Sequence, residues 1–171
     1  LSRPISPKPH IEKLEATHDL SHFDCGSEPL NRFLTAYAVT NQKSGSSQTY
    51  VALIGSAVVG YYSLTVGQVL YDDAPKRLAK GLPRHPVPTI LLARLAIHKD
   101  FQGQRLGSGL LLDAIRRTLQ AADIAGIRAL LVHAKDENAK AFYEHFGFEA
   151  FTGEPLTLYR LLKDVRLMLE S

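Results

Sequence analysis

Nine residues, Phe101-Gln102-Gly103-Gln104-Arg105-Leu106-Gly107-Ser108-Gly109, set three glycines and several polar side chains directly before a helical pattern. The first N–H groups of a helix have no internal partner, and the helix dipole adds partial positive charge there. Glycine lets a bulky anion approach the main chain. The chemistry this spacing serves is phosphate or pyrophosphate binding. Arg94 interrupts the apolar run Thr89 to Ile97 just upstream. Buried arginines need partners, so Arg94 is either half of a structural ion pair or a cation of the site. The segment Lys76 to His85 carries four Lys or Arg and no acid, with Arg77, Lys80 and Arg84 among them. It is either a solvated loop or a phosphate-contacting patch. Seven scattered histidines show no ligand spacing, so no metal is expected. Cys25 has no activating neighbour in sequence and reads as a packing or helix-entry residue.

The elements that position these groups can be read from periodicity. Thr89 to Ile97 is a near-continuous apolar run, expected of a central strand covered on both faces. Leu106, Leu110 and Ala114, with Leu111, Ile115 and Leu119 offset by one, predict a helix packed on a sheet and ending near Gly126. Upstream, Leu1 to Pro9 reads as a loose arm and Ile11 to Thr17 as a strand. Ser27-Glu28-Pro29 opens a helix whose apolar stripe is Leu30, Phe33, Leu34 and Tyr37, ending near Ala38. Asn41 to Ser47 is expected as a loop. Thr49 to Ile54 and Ala57 to Val66 form a hairpin turned at Gly55-Ser56. Asp72 to Lys80 suggests a short helix. Downstream, Arg128 to Ala134 is a second buried strand. Asp136 caps a helix over Glu137 to Phe146 that Gly147 closes, and Phe148 to Phe151 and Leu156 to Leu162 are strands. The order predicts a mixed α/β sheet with helices on its faces.

At 171 residues the chain is expected to be a single domain with an adequate core. Its 45% apolar and 22% charged residues are those of an ordinary globular protein. One cysteine excludes an internal disulfide and suits a reducing cytoplasm. No apolar run approaches bilayer length and no leader pattern is present. The net charge of +3 decides little by itself.

Gln102-Gly103-Gln104-Arg105-Leu106-Gly107 resembles the Q/R-x-x-G-x-G/A signature of GNAT-superfamily N-acetyltransferases. Ala141-Phe142-Tyr143-Glu144-His145-Phe146-Gly147-Phe148 resembles that superfamily's second signature. The two stand in the right order, and the likeness covers essentially the whole chain, residues 1–171. Phe23-Asp24-Cys25-Gly26, Asn41-Gln42-Lys43-Ser44-Gly45 and Pro88-Thr89-Ile90-Leu91-Leu92-Ala93-Arg94-Leu95-Ala96-Ile97 resemble the toxin branch. That branch acetylates the amino group of aminoacyl-tRNA and pairs with ribbon-helix-helix antitoxins.

The resemblance implies a GNAT fold with two splayed parallel strands, Thr89–Ile97 and Arg128–Ala134. It implies acetyl-CoA as co-substrate, its pantetheine along Leu95, Ala96 and Ile97. Its pyrophosphate would lie on Gln102, Gly103, Gln104, Arg105, Leu106, Gly107 and Ser108. The Ala96 N–H would face the acetyl carbonyl. Tyr143 stands where many members keep the tyrosine that protonates the leaving thiolate, the alternative being a packing role. Asn138 matches a pantetheine contact, or is a plain helix-start residue. Glu144 and His145 flank Tyr143 but point elsewhere on a helix, so no base is assigned. None is required, because an α-amino group titrates near 7.7–8, lower when esterified.

The partners implied are aminoacyl-tRNA, an antitoxin and a second copy in a homodimer, with no membrane. Arg77, Lys80, Arg84 and Arg94 would serve the RNA. The family usually has glycine where Arg105 stands. The expectation is that Arg105 is tolerated in ordinary helical geometry with its side chain outward. The alternatives are a GNAT acting on a small or protein amine, for which Tyr71-Asp72-Asp73 and Glu154 offer acids, and a fold disabled at Arg105 and kept as a binding module.

Overall fold

The computed structural model describes residues 8–171. The arm expected over Leu1–Pro9 therefore lies, for residues 1–7, outside the described residues. Among the described residues, seven strands form one mixed sheet in the order β1-β2-β3-β4-β5-β7-β6. They are β1 (His10–Lys13), β2 (Gln48–Ile54), β3 (Ala57–Val69), β4 (Val87–Ile97), β5 (Ala129–His133), β6 (Glu149–Ala150) and β7 (Thr157–Leu161). β4 and β5 are parallel, while β1–β2, β2–β3, β5–β7 and β6–β7 are antiparallel. This is the mixed sheet that the residue pattern predicts.

Residues cluster into two compact units. The first holds the chain up to Leu64 together with Arg94–Ala114; the second holds Thr65–Ala93 and Ile115–Ser171. β3, β4 and the helix α4 (Leu106–Ala122) each contribute to both.

The first unit contains α1 (Glu28–Arg32), a π-helical turn (Phe33–Tyr37) and α2 (Ala38–Ser44). Its core gathers Leu14, Phe23, Phe33, Leu34, Ala38, Val51, Val58, Tyr61 and Ala96. Two differences from the expected elements have identifiable causes. The helix runs on through Asn41–Ser44, because the Gln42 side chain is used tertiarily: Nε2 donates to Leu14 O at 2.7 Å and Oε1 accepts from Thr49 N at 2.9 Å. Gly45 at φ 79 ends it. The π turn inserts a residue into the 3.6-residue repeat. It rotates Tyr37, expected on the apolar stripe, out to 48% exposure. A glycine is needed at position 60 of β3, where a Cβ would stand 3.2 Å from Ala96 O and 2.9 Å from Leu110 Cδ1. Tyr62 fastens β3 to α4 by donating to Asp113 Oδ2 at 2.6 Å in a buried setting.

The second unit contains α3 (Lys76–Ala79), α5 (Glu137–His145) and α6 (Leu162–Glu170). Its core is Val69, Leu78, Val87, Ala129, Leu131, Phe151, Tyr159 and Leu161. The helix expected over Asp72–Lys80 is split into a 3-10 turn (Tyr71–Asp73) and α3. Pro75 separates them, lacking the N–H a continuous helix would use.

Candidate active site

β4 pairs with β5 only from Thr89 to Leu92, yet continues to Ile97. The stretch that includes Leu95, Ala96 and Ile97 therefore extends beyond the β5 ladder, with a strand edge that can bond an extended amide-bearing ligand. Alternation along β4 buries Ala96 and leaves Leu95 and Ile97 partly exposed.

A bracing network from the first unit holds the turn that follows. Lys99 N donates to Asp24 O at 2.8 Å, and Lys99 Nζ lies 3.2 Å from Asp24 Oδ2. Asp24 Oδ1 accepts from Gly26 N (2.9 Å) and Asn31 Nδ2 (3.0 Å), while Asn31 Oδ1 accepts from Cys25 N at 2.8 Å. Gln102 Nε2 donates to both Cys25 O (3.1 Å) and Ile97 O (3.0 Å), so its side chain braces the turn. His98 donates from Nε2 to His22 O at 3.1 Å and accepts Asp100 N on Nδ1 at 3.1 Å, a pattern that sets its tautomer. Sequence reasoning missed Asp24 and Asn31 as positioning residues. The signal was present in Asp24-x-Gly26, a carboxylate two residues before a glycine that adopts φ 88.

The Gly26 N–H, then the Asn31 amide and the Lys99 ammonium, pull the Asp24 carboxyl down to about 2 from its ordinary 3.8. A depressed carboxyl stabilises the fold fully above pH about 4 and loses that contribution as pH falls toward 2. Asp24→Asn is therefore expected to lower Tm at pH 6, and the gap to wild type should narrow steadily between pH 4 and pH 3. Paired thermal melts check it.

Gly103 turns at φ 78 with open space where a Cβ would stand. Arg105 has φ 64, the left-handed region, and is the single non-glycine at positive φ among the described residues. This corrects the expectation of ordinary helical geometry there. The turn keeps a glycine-type path into α4, and the arginine bears the strain. Gly103, Gln104 and Arg105 are exposed, Leu106 is buried, and Gly107 and Ser108 are intermediate. The donors on offer are main-chain N–H groups at a helix start, which suit a pyrophosphate; with the free β4 edge, they fit acetyl-CoA. A left-handed non-glycine costs about 1–2 kcal/mol, of which roughly 0.4–1 returns when glycine loosens the unfolded chain. Arg105→Gly should then raise stability by about 0.5–1 kcal/mol, a Tm gain of roughly 1–4 °C, measurable by calorimetry.

In the second unit, α5 places Tyr143. Asp136 Oδ1 caps it by accepting from Ala139 N at 2.8 Å. At its end, Phe148 N donates to Tyr143 O (3.2 Å) and Gly147 N to Glu144 O (3.0 Å), with Gly147 at φ 86. This is a Schellman closure, and its usual apolar contact is made by the Tyr143 and Phe148 rings at 5.5 Å. The second signature is thus a device that fixes a tyrosine. Tyr143 is 8% exposed, and burial pushes its phenol up to about 12. Asn138 is exposed in the first turn of α5. Leu95 to Ser108 thus stand in one unit, and Tyr143 and Asn138 in the other.

The cations differ in how they are used. Arg77 is paired with Glu149 and with Asp164 at 2.6 Å, joining α3, β6 and α6. Arg84 is exposed, 3.4 Å from Asp72 and 5.6 Å over the Tyr71 ring. Lys80 is exposed, and its carbonyl accepts from Arg128 at 3.0 Å. Arg94 lies 3.6 Å over the face of Phe33. An open groove in the second unit is lined by Asp73, Lys76, His133, Phe151 and Glu154 among others. Among the described residues no group of His, Cys, Asp and Glu could hold a metal ion, and no helix is long and apolar enough to cross a membrane.

A family profile described as the acetyltransferase (GNAT) domain matches residues 45–150. The tRNA-acetylating toxin of Mycobacterium tuberculosis is 43% identical over 157 residues, 92% of this chain and 94% of that protein. The solved structure of AtaT complexed with acetyl-methionyl-tRNAfMet matches with a TM-score of 0.88 at 32% identity, over 95% of this chain and 99% of that one. A tyrosine-to-phenylalanine mutant of AtaT, bound to the C-terminus of the antitoxin AtaR and acetyl-CoA, matches with a TM-score of 0.81 at 30% identity, over 95% and 99%.

Proposed function

The chain belongs to the GNAT acetyltransferase family, and from that premise we propose that it transfers the acetyl group of acetyl-CoA to the α-amino group of an aminoacyl-tRNA, as the toxin of a toxin–antitoxin pair. The observation that carries this reading is the near-complete match to AtaT complexed with acetyl-methionyl-tRNA, alongside 43% identity to a tRNA-acetylating toxin. The AtaR-bound relative supports an antitoxin partner, here of the ribbon-helix-helix type. A homodimer working in the cytoplasm completes the proposal.

When bound, acetyl-CoA supplies a thioester whose carbonyl is open to attack by an amine. The edge of β4 at Leu95, Ala96 and Ile97 orients it through main-chain hydrogen bonds. The N–H groups of Gly103 through Ser108 hold its pyrophosphate. A main-chain N–H of this stretch, expected at Ala96, would donate to the carbonyl oxygen as negative charge builds there. Tyr143 Oη, kept protonated by burial, gives its proton to the departing sulfur. No protein base is invoked, since the ester-activated amine is substantially neutral at cellular pH.

Incubation with labelled acetyl-CoA and matched charged and deacylated tRNA tests the reading. Label on charged tRNA alone supports it. A second reading, a small cationic amine as acceptor, draws on Asp73 and Glu154 lining one groove. It predicts acetyl-CoA turnover with polyamines and none with charged tRNA.

A further inference from the structure

We propose that Arg94, stacked on Phe33, grips a phosphodiester of the tRNA acceptor strand; this rests on the aminoacyl-tRNA reading above. The residue immediately precedes Leu95–Ile97 on β4. It shares a strand face with Ala96, and Ala96 belongs to the same core cluster as Phe33 and Tyr61. The face is thus the one covered by the turn that begins at Phe33.

The platform beneath Arg94 is rigid. Its guanidinium carbon stands 3.6 Å from the Phe33 centroid. Phe33 stacks in turn on Tyr61, 6.2 Å away at 22°, and Tyr61 Oη donates to Leu30 O at 2.7 Å. Phe23 closes on the Tyr61 edge at 5.5 Å. Phe33 also opens the π-helical turn, an irregularity that recurs at functional sites. Stacking one face of a guanidinium on an aromatic ring leaves its N–H fork directed outward in its own plane.

Several other cations are already committed within the fold. Arg77, Arg84, Lys99 and Arg166 each have a carboxylate within 4.0 Å. Arg128 donates to the Leu78 and Lys80 carbonyls. Arg94 is half-buried, and among the described residues it has neither an acid nor a hydrogen-bond acceptor. An oriented, partly desolvated fork of donors matches an oxyanion bidentately, and the phosphodiesters linking its nucleotides are the oxyanions an RNA acceptor strand carries. A guanidinium already held by stacking loses little freedom when the phosphate arrives.

The test compares wild type with Arg94→Gln, Arg94→Lys and Phe33→Leu. Kinetics with charged tRNA, the salt dependence of RNA affinity, and calorimetric binding of acetyl-CoA are measured on each. Arg94→Gln should raise KM for charged tRNA about tenfold or more and leave acetyl-CoA affinity unchanged. Its log-affinity against log-salt slope should shrink by about 0.7, the value for one contact to a single strand. Arg94→Lys, which keeps a cation on a similar stem, should retain the slope and recover only part of the KM, having no fork. Phe33→Leu should raise KM with the slope kept. An Arg94→Gln enzyme with wild-type KM and slope overturns the assignment, as does a loss confined to Tm or shared equally with acetyl-CoA affinity. If wild type itself transfers nothing to charged tRNA, the aminoacyl-tRNA reading fails and this inference falls with it. If wild type transfers and Arg94→Gln equals it, only Arg94 is reassigned.

Discussion

Tyr143→Phe is expected to lower kcat for acetyl transfer by about 10²–10⁴-fold, the range lost when a positioned general acid is removed, while acetyl-CoA still binds. The substitution deletes one oxygen and keeps the ring, so its contacts with Phe142 at 5.2 Å and Phe148 at 5.5 Å persist. Stability should change by less than about 1 kcal/mol, separating a chemical from a packing role. Without the hydroxyl, the thiolate leaves unprotonated. The pH profile carries a second signature. With its phenol up at about 12, Tyr143 stays protonated through pH 10, so the wild-type rate rises as the acceptor amine loses its proton and shows no matching decline below pH about 11. The same shift has a stability consequence of fixed sign. Burial favours the neutral phenol, so the Tyr143 contribution is fully present below pH 10 and is lost as pH climbs through 12. A kcat within threefold of wild type in Tyr143→Phe would leave the tyrosine as packing.

Gly147→Ala is expected to destabilise the protein by about 1–2 kcal/mol and to lower activity with it. At φ 86 a side chain costs about 1–2 kcal/mol. The added Cβ would also stand 2.8 Å from Arg160 Cζ and 2.9 Å from its Nε, but these atoms end a flexible, partly exposed side chain that can swing aside, so the cost lies in the backbone angle. For a chain of this length that corresponds to a Tm loss of roughly 2–8 °C. The position matters because Gly147 closes the α5 terminus, where Tyr143 O accepts from Phe148 N. Strain there reaches Tyr143 through its own carbonyl. Gly147→Ala should cost as much in an Arg160→Ala background as in wild type, which thermal melts of the four proteins of the cycle resolve.

The strands and the two signatures were legible because their signals are local. An apolar run marks β4, a wide stripe marks α4, and Asp136 and Gly147 bracket α5. The family likeness adds an expectation that patterns alone could not, namely which turn would meet which ligand. What stayed hidden was decided elsewhere in the chain. Asn41–Ser44 is polar and reads as a loop, yet Gln42 makes it helical by clamping Leu14 and Thr49. The π turn leaves no mark in composition, so Tyr37 was placed on the wrong side of its helix. Arg105 breaks the rule that left-handed positions take glycine; a main chain fixed on both sides, by the Gln102 brace and by α4, overrides local preference. Arg77 and Arg84 look alike in sequence, and only tertiary neighbours separate the one built into an ion-pair network from the exposed one.

The most direct measurement is the chemical location of the transferred group. Charged tRNA is incubated with the protein and acetyl-CoA, the aminoacyl ester is cleaved with mild alkali, and the released amino acid is weighed by mass spectrometry. The account predicts an amino acid heavier by one acetyl group, absent when the tRNA is deacylated beforehand and strongly reduced with Tyr143→Phe. An unmodified amino acid, recovered while acetyl-CoA is consumed on another amine, would contradict it.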